Sequence, residues 1–325
     1  MNIKRIPIKV ENHFKAPISD SQAFTLIELL VVIITLTVLA SLLLPGLARG
    51  TQQSVTVQCL NSLHQLNDAW SMYNGDNQGK LAPTGQEADQ PQSVTSSDGK
   101  PGGPNAQWCP GLQMNTTGYL APVNLPTNAQ NIGLEYIKDG LLYPYVGNTQ
   151  AYLCPCDQSF NMAGGVIYPH VRSRSMNFWL SPLPSSAGYN AAAIWGNPQD
   201  YQLRVYRKTS DLTVPGPANT FLFIDENPQS INDGCLEEDP TYPTIAKPQW
   251  TDAPANYHDG GCGISFCDGH AGIKKWRDPV LLNLTGMNDT QSWTPSTQYE
   301  PDVLWLVNRA TALKTTTAFL GPQGW

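Results

Sequence analysis

Residues 24–44 read FTLIELLVVIITLTVLASLLL, and the fold turns on how this stretch is read. It is apolar apart from Glu28 and the hydroxyls of Thr25, Thr35, Thr37 and Ser41. As a helix rising about 1.5 Å per residue it would extend roughly 31 Å, the thickness of the hydrocarbon core of a bilayer. Ahead of it, residues 1–23 are polar and mildly basic, with Lys4, Arg5, Lys9 and Lys15 against Glu11 and Asp20. A basic leader before an apolar run suits a secretory signal, for which Ala40-Ser41 or Gly46-Leu47-Ala48 supply small-residue cleavage sites. The other reading keeps the apolar run as a membrane helix. Glu28 bears on the choice: a carboxylate in a membrane helix costs about 2.5–3.5 kcal/mol and usually marks a function, the alternative being a tolerated interfacial position near the helix end.

After Pro45 and Gly46 the period changes. Val55, Cys59, Leu63, Leu66, Trp70 and Tyr73 form one apolar stripe at helical spacing, with Gln, Asn, Ser and Thr on the other faces. Asn74-Gly75 predicts the stop. Asn74-Gly75-Asp76-Asn77-Gln78-Gly79 has a calcium-loop flavour, but Gly85 stands where such a loop needs a bidentate Glu, so it reads as a polar loop. Residues 76–135 carry most of the Gly/Pro/Ser/Gln-rich sequence and read as a surface excursion. Beyond them, strands are expected at 152–153, 174–179, 204–206, 220–224, 263–267 and 271–276, the last two joined by the hairpin signal Asp268-Gly269. Without βαβ alternation the sheet should be largely antiparallel.

The chain of 325 residues is 41% hydrophobic, long enough for a proper core, and only 14% charged. A net charge of −7 and a pI near 5.2 provide no basic footprint for nucleic acid. The seven cysteines, at 59, 109, 154, 156, 235, 262 and 267, form no CxxC pair of the structural-zinc kind. In an oxidising compartment some would pair, and the odd count leaves at least one over. Cys59 on the apolar stripe and Cys154 after an expected strand are the pair we expect to be bonded. Closing a loop of ~95 residues would stabilise by roughly 3–5 kcal/mol in the chain-entropy model.

Ala23-Phe24-Thr25-Leu26-Ile27-Glu28-Leu29-Leu30-Val31-Val32 closely resembles the prepilin-type cleavage and methylation motif of type IV pilins and type II secretion pseudopilins. The resemblance implies a cut between Ala23 and Phe24, N-methylation of Phe24, a role for Glu28 in assembly, and a helix-loosening proline at Pro45. Where the family usually has Gly before the cut, this chain has Ala23. His258, nine residues and then Asp268-Gly269 resemble the H-x9-DG element that accompanies prepilin signals in many large pilin-like proteins. Residues 58–66, 153–155 and 223–234 are similar to the same group. The implied fold is α+β and pilin-like: a long N-terminal helix with a membrane half and an amphipathic half, packed on a largely antiparallel sheet with long loops. The implied organisation is a leader at 1–23, a transmembrane or filament-core helix at 24–45, an amphipathic stem at 46–75, and a head at 76–325. The implied function is a non-enzymatic filament subunit, held single-pass in the inner membrane with its head in the periplasm or outside the cell. Its partners would be a prepilin peptidase/N-methyltransferase and other pilin or pseudopilin subunits.

The one dense set of chemical groups is Asp225, Glu226, Asp233, His258, Asp268 and His270. Carboxylates with His can hold a divalent cation such as calcium, zinc or manganese, giving Asp225, Asp233, His258, Asp268 and His270 as candidate ligands. A purely structural reading has Asp233 and Asp268 making turns before Gly and His258 bonding the hairpin turn or the 225–233 segment. No G-x-S-x-G, P-loop or HExxH is present, so no catalytic residue is assigned and no cofactor is required. Two other functions stay in view: a tethered metal-dependent hydrolase using the His/Asp set, and a carbohydrate-binding head using Trp108, Trp179, Trp195, Trp250 and Trp293 to stack on a glycan.

Overall fold

The computed structural model describes residues 25–84, 106–110, 134–163, 166–182, 202–228, 230–231, 234–238, 240, 243–244, 247–284 and 300–319. The bond between Ala23 and Phe24 lies outside them, as do Asp233 and most of the 76–135 excursion.

Helix α1 runs from Leu26 to Asp76, through Pro45, as one 51-residue element. It opens on a capping box. The backbone N–H and hydroxyl of Thr25 donate to Glu28 Oε2 at 2.9 and 2.7 Å, and the Glu28 N–H donates back to Thr25 Oγ1 at 3.3 Å. Glu28 is thus occupied at the helix start, where a carboxylate also suits the helix dipole. At the other end the chain leaves the helix through Gln78 and Gly79, both with positive φ.

The expected membrane half requires correction. Among the described residues no helix is long and apolar enough to cross a membrane. The single-pass inner-membrane placement falls with it. The architecture is a mixed α/β fold with a five-stranded sheet rather than a membrane-anchored pilin fold.

The chain divides into two compact units, residues 1–52 and 53–325. In the second, α1 is followed by short helices α2 (Leu134–Lys138) and α3 (Tyr143–Val146) and a 3-10 turn at Thr149–Tyr152. A strand was expected at 152–153; the Asn148 side chain instead accepts from the Gln150 N–H at 3.0 Å and starts a turn. Strands β1 (Phe160–Ala163) and β2 (Val166–Pro169) form a small antiparallel ribbon. Next come β3 (Arg174–Asn177), β4 (Phe221–Asp225) and β5 (Cys235–Leu236). A second ribbon pairs β6 (Pro243–Thr244) with β7 (Lys247–Pro248). A 3-10 turn at Thr209–Asp211 lies between β3 and β4, and strands β8 (Gly261–Phe266) and β9 (Ala271–Lys275), then helices α4 (Pro279–Leu282) and α5 (Glu300–Ala310), follow β7. The segment expected as a strand at 204–206 contributes isolated bridges at its flanks, Leu203 to Leu313 and Tyr206 to Leu180.

The central sheet has the order β5-β3-β4-β8-β9; β3/β4, β4/β8 and β8/β9 are antiparallel and β3/β5 is parallel. Every residue of β4 and β8 is buried, as strands covered on both faces must be. The core cluster joins Leu63, Leu66 and Trp70 of α1 to Phe221, Phe223, Ile224, Ile264 and Phe266 of the sheet and Val303 and Leu306 of α5. Stem side chains also reach the β8–β9 turn: Asn67 Nδ2 donates to Phe266 O at 3.2 Å, and His64 Nδ1 lies 3.1 Å from Gly269 O.

Candidate metal centre

Four side chains from four separate segments meet where the stem crosses the sheet: Cys59, Cys154, Asp225 and His258, all buried, with ligand atoms within 4.8 Å of one another. Each is placed by local structure. Cys59 belongs to the buried stripe of α1, one turn before Leu63. Cys154 follows the 3-10 turn, and its N–H donates to Ser173 Oγ at 2.7 Å. Asp225 ends β4 directly across from Arg174 of β3. His258 begins the tight turn into β8: its N–H donates to Gly261 O at 2.9 Å, while Asp259 and Gly260 take positive φ and the Lys275 ammonium donates to His258 O.

The separations are short. Cys154 Sγ lies 3.6 Å from Cys59 Sγ and 3.3 Å from His258 Nε2, and Cys59 Sγ lies 3.4 Å from Asp225 Oδ2. Around them, the Arg174 guanidinium donates to Asp225 Oδ1 at 3.1 Å and to Cys59 Sγ at 3.4 Å. The Gly263 N–H donates to Asp225 Oδ2 at 3.1 Å. The other ring nitrogen of His258 faces Thr56 Oγ1 at 3.4 Å and Cys156 Sγ at 3.7 Å. Gly263 has to be glycine here, because an added Cβ would stand 2.7 Å from Asp225 Oδ2 and 2.9 Å from Cys59 Sγ.

The electrostatics follow from burial and crowding. A hydrogen bond from the Cys154 thiol pulls the Cys59 thiol down to about 4 against the effect of burial, with His258 and Arg174 helping. Cys154, which keeps the shared proton, is pushed up. Burial pushes Asp225 up to about 7, the charge on Cys59 adding to it and Arg174 opposing. For His258, burial disfavours the cation, but the hydrogen bond to Cys59 and the charges of Cys59 and Asp225 outweigh it, so its pKa rises. The Arg174 guanidinium, paired with Asp225, and the His258 ring are the positive groups facing Cys59 and Asp225.

The expected disulfide partners are therefore adjacent, yet both thiols are free, and 3.6 Å is well beyond the ~2.05 Å of a bond. Of the expected metal set, Asp225 and His258 are in the cluster. Asp268 and His270 instead pair with each other on the exposed β8–β9 turn at 2.5 Å, the His270 ring stacked on Phe266. Among the described residues the His258 ring faces Cys154, Cys156 and Thr56 rather than that turn. Sequence reasoning missed that Cys59 and Cys154 belong with Asp225 and His258, and it missed Arg174 and Gly263 altogether. The available signal was four chemistry-bearing residues at the ends or edges of apolar runs.

This group can hold a metal ion. A closed site with every donor buried offers no open face to a substrate. Of the tryptophans considered for sugar stacking, Trp108, Trp179 and Trp250 are core residues, each at most 1% exposed; Trp195 and Trp293 lie outside the described residues. The Trp108 and Trp179 indoles donate to Gly234 O and Glu238 O, and that of Trp250 to Asp278 Oδ2. No family model matches this chain, nor does any curated protein or solved structure.

Proposed function

We propose that this chain is a non-enzymatic structural subunit of a pilus-like or pseudopilus-like filament, freed from its leader by a prepilin peptidase and joined to other pilin-like subunits through its N-terminal helix. One observation carries the reading. From Leu26 to Leu39 the large apolar side chains of α1 are exposed on every face, from Val32 at 43% to Leu26 at 87%, with Glu28 the sole charge among them. A helix that is apolar all round needs cover on all sides. Copies of the same helix, bundled in a filament, supply it. The prepilin-like motif around Phe24 and Glu28 supports that choice of occupant, and the closed head site supports a structural rather than catalytic role. The divalent cation belongs to the same reading as a fastening of the head.

Within such a bundle Glu28 would be stripped of water, and a lone buried carboxylate is expensive unless paired. The partner is the α-amino group of Phe24 on a neighbouring subunit, which exists only after the leader is removed. Terminal mass spectrometry of the mature protein should find N-methylated Phe24 at the start. Glu28→Leu should be cleaved yet excluded from filaments. A mature terminus beyond Leu44, or normal incorporation of Glu28→Leu, would overturn the proposal.

A further inference from the structure

We infer that Cys59, Cys154, Asp225 and His258 form a closed, tetrahedral zinc site that pins the stem helix to the head; this rests on the site's own geometry and is independent of filament assembly. With Zn–S near 2.3 Å and Zn–N and Zn–O near 2.0–2.2 Å, the edges of a zinc tetrahedron measure about 3.3–3.8 Å. The sulfur–sulfur, sulfur–nitrogen and sulfur–oxygen separations of 3.6, 3.3 and 3.4 Å fall on those edges before any ion is placed. Two thiolates and an imidazole select a borderline-soft ion over calcium or magnesium, which take oxygen donors in larger numbers.

The surroundings are those of an ion site. Two thiolates and one carboxylate bring three negative charges; a zinc ion and the Arg174 guanidinium bring three positive ones, so the buried centre is neutral. His258 presents Nε2 to the sulfurs and its other nitrogen to Thr56 Oγ1, the arrangement in which an outer acceptor fixes the tautomer of a ligating imidazole. Asp225 has Oδ1 held by Arg174 and Oδ2 turned toward Cys59 and the Gly263 N–H. A disulfide between Cys59 and Cys154 would leave Asp225 and His258 converging on a neutral sulfur pair. An ion uses all four. Because the donors come from α1, the turn before β1, the end of β4 and the entry to β8, binding is also a constraint on folding.

The test uses the full chain, purified in reducing buffer without chelator. Elemental analysis should return one zinc per chain. Cobalt(II) in its place should show the visible bands of a tetrahedral ion together with thiolate-to-cobalt charge transfer. A strong chelator should lower the Tm of the wild type, and zinc should restore it. Thr56→Val should bind zinc about 10-fold more weakly, Cys154→Ser should roughly halve the charge-transfer band by leaving Cys59 as the one thiolate, and Cys156→Ser should keep full zinc. Should Cys154→Ser fail to fold, chelation of the wild type decides the matter. Folded protein that takes up neither zinc nor cobalt, or holds a Cys59–Cys154 disulfide under these conditions, or an unchanged Tm in chelator, would each refute the site.

Discussion

His170 shows how one buried ring couples folding to pH. It is 4% exposed, with Nδ1 2.8 Å from Ser159 Oγ. Burial holds its pKa below the ordinary 6.5, with Arg172 adding and Asp157 opposing. The folded chain therefore takes up this proton later than the unfolded chain as pH falls. Stability is complete above the unfolded value and is lost as pH drops through 6.5 toward the folded one, at up to about 1.4 kcal/mol per pH unit. His170→Gln keeps a hydrogen-bonding side chain but cannot titrate. Urea midpoints between about pH 7 and 5 should fall less in that variant than in the wild type; parallel slopes would show that His170 contributes nothing. At this scale the sequence was legible in kind but not in company. Cys59 and Cys154 stand out as a pair, and Asp225 and His258 as metal-ligand types. Periodicity, however, says which face a residue occupies and not which faces meet. The convergence depends on β4 lying between β3 and β8 with the stem across them, which is tertiary information.

The β8–β9 hairpin is where an element-level reading carries furthest. Asp268-Gly269 marks the turn because Gly269 must take a positive φ, here +98°. Asp268 Oδ1 accepts from the His270 N–H at 3.2 Å and closes the turn locally. Nothing lies within 4 Å of where a Cβ on Gly269 would stand, so Gly269→Ala tests backbone conformation without a clash. It should cost about 1–2 kcal/mol, read as a lower urea midpoint with unchanged slope, and leave metal content unchanged. No loss would mean that the turn relaxes to another form. The stem is equally legible: the stripe Cys59, Leu63, Leu66 and Trp70 is buried at 0–2%. The elements that misled are those with local competitors. At 149–152, Asn148 captures the backbone in a 3-10 turn, and at 204–206 the chain makes bridges without a continuous partner. Membrane spanning was read from the apolar run and the prepilin-like motif together, and among the described residues no helix is long and apolar enough to cross a membrane.

At the scale of the whole molecule, association and folding should be separable. The described core is drawn from residue 63 onward, and all four donors of the proposed zinc site lie at 59 or beyond. Residues 1–52 form a unit of their own, whose described side chains include the exposed run from Leu26 to Leu39. A fragment comprising residues 53–325 keeps every core residue, Thr56 behind His258, and the hydrogen bonds that fasten α1 to the β8–β9 turn. It loses the apolar helix that requires cover. It should therefore fold, bind metal as the full chain does, and elute as a monomer in light scattering coupled to size exclusion. The full chain in the same buffer should form higher-order species, because burying exposed Leu, Ile and Val side chains is worth roughly 1.5–3 kcal/mol each when complete. Detergent should disperse those species without changing the melting of the head, whose core it does not reach. A full chain that stays monomeric without detergent would remove the observation on which the filament reading rests. A fragment that aggregates would place the sticky surface in the head instead.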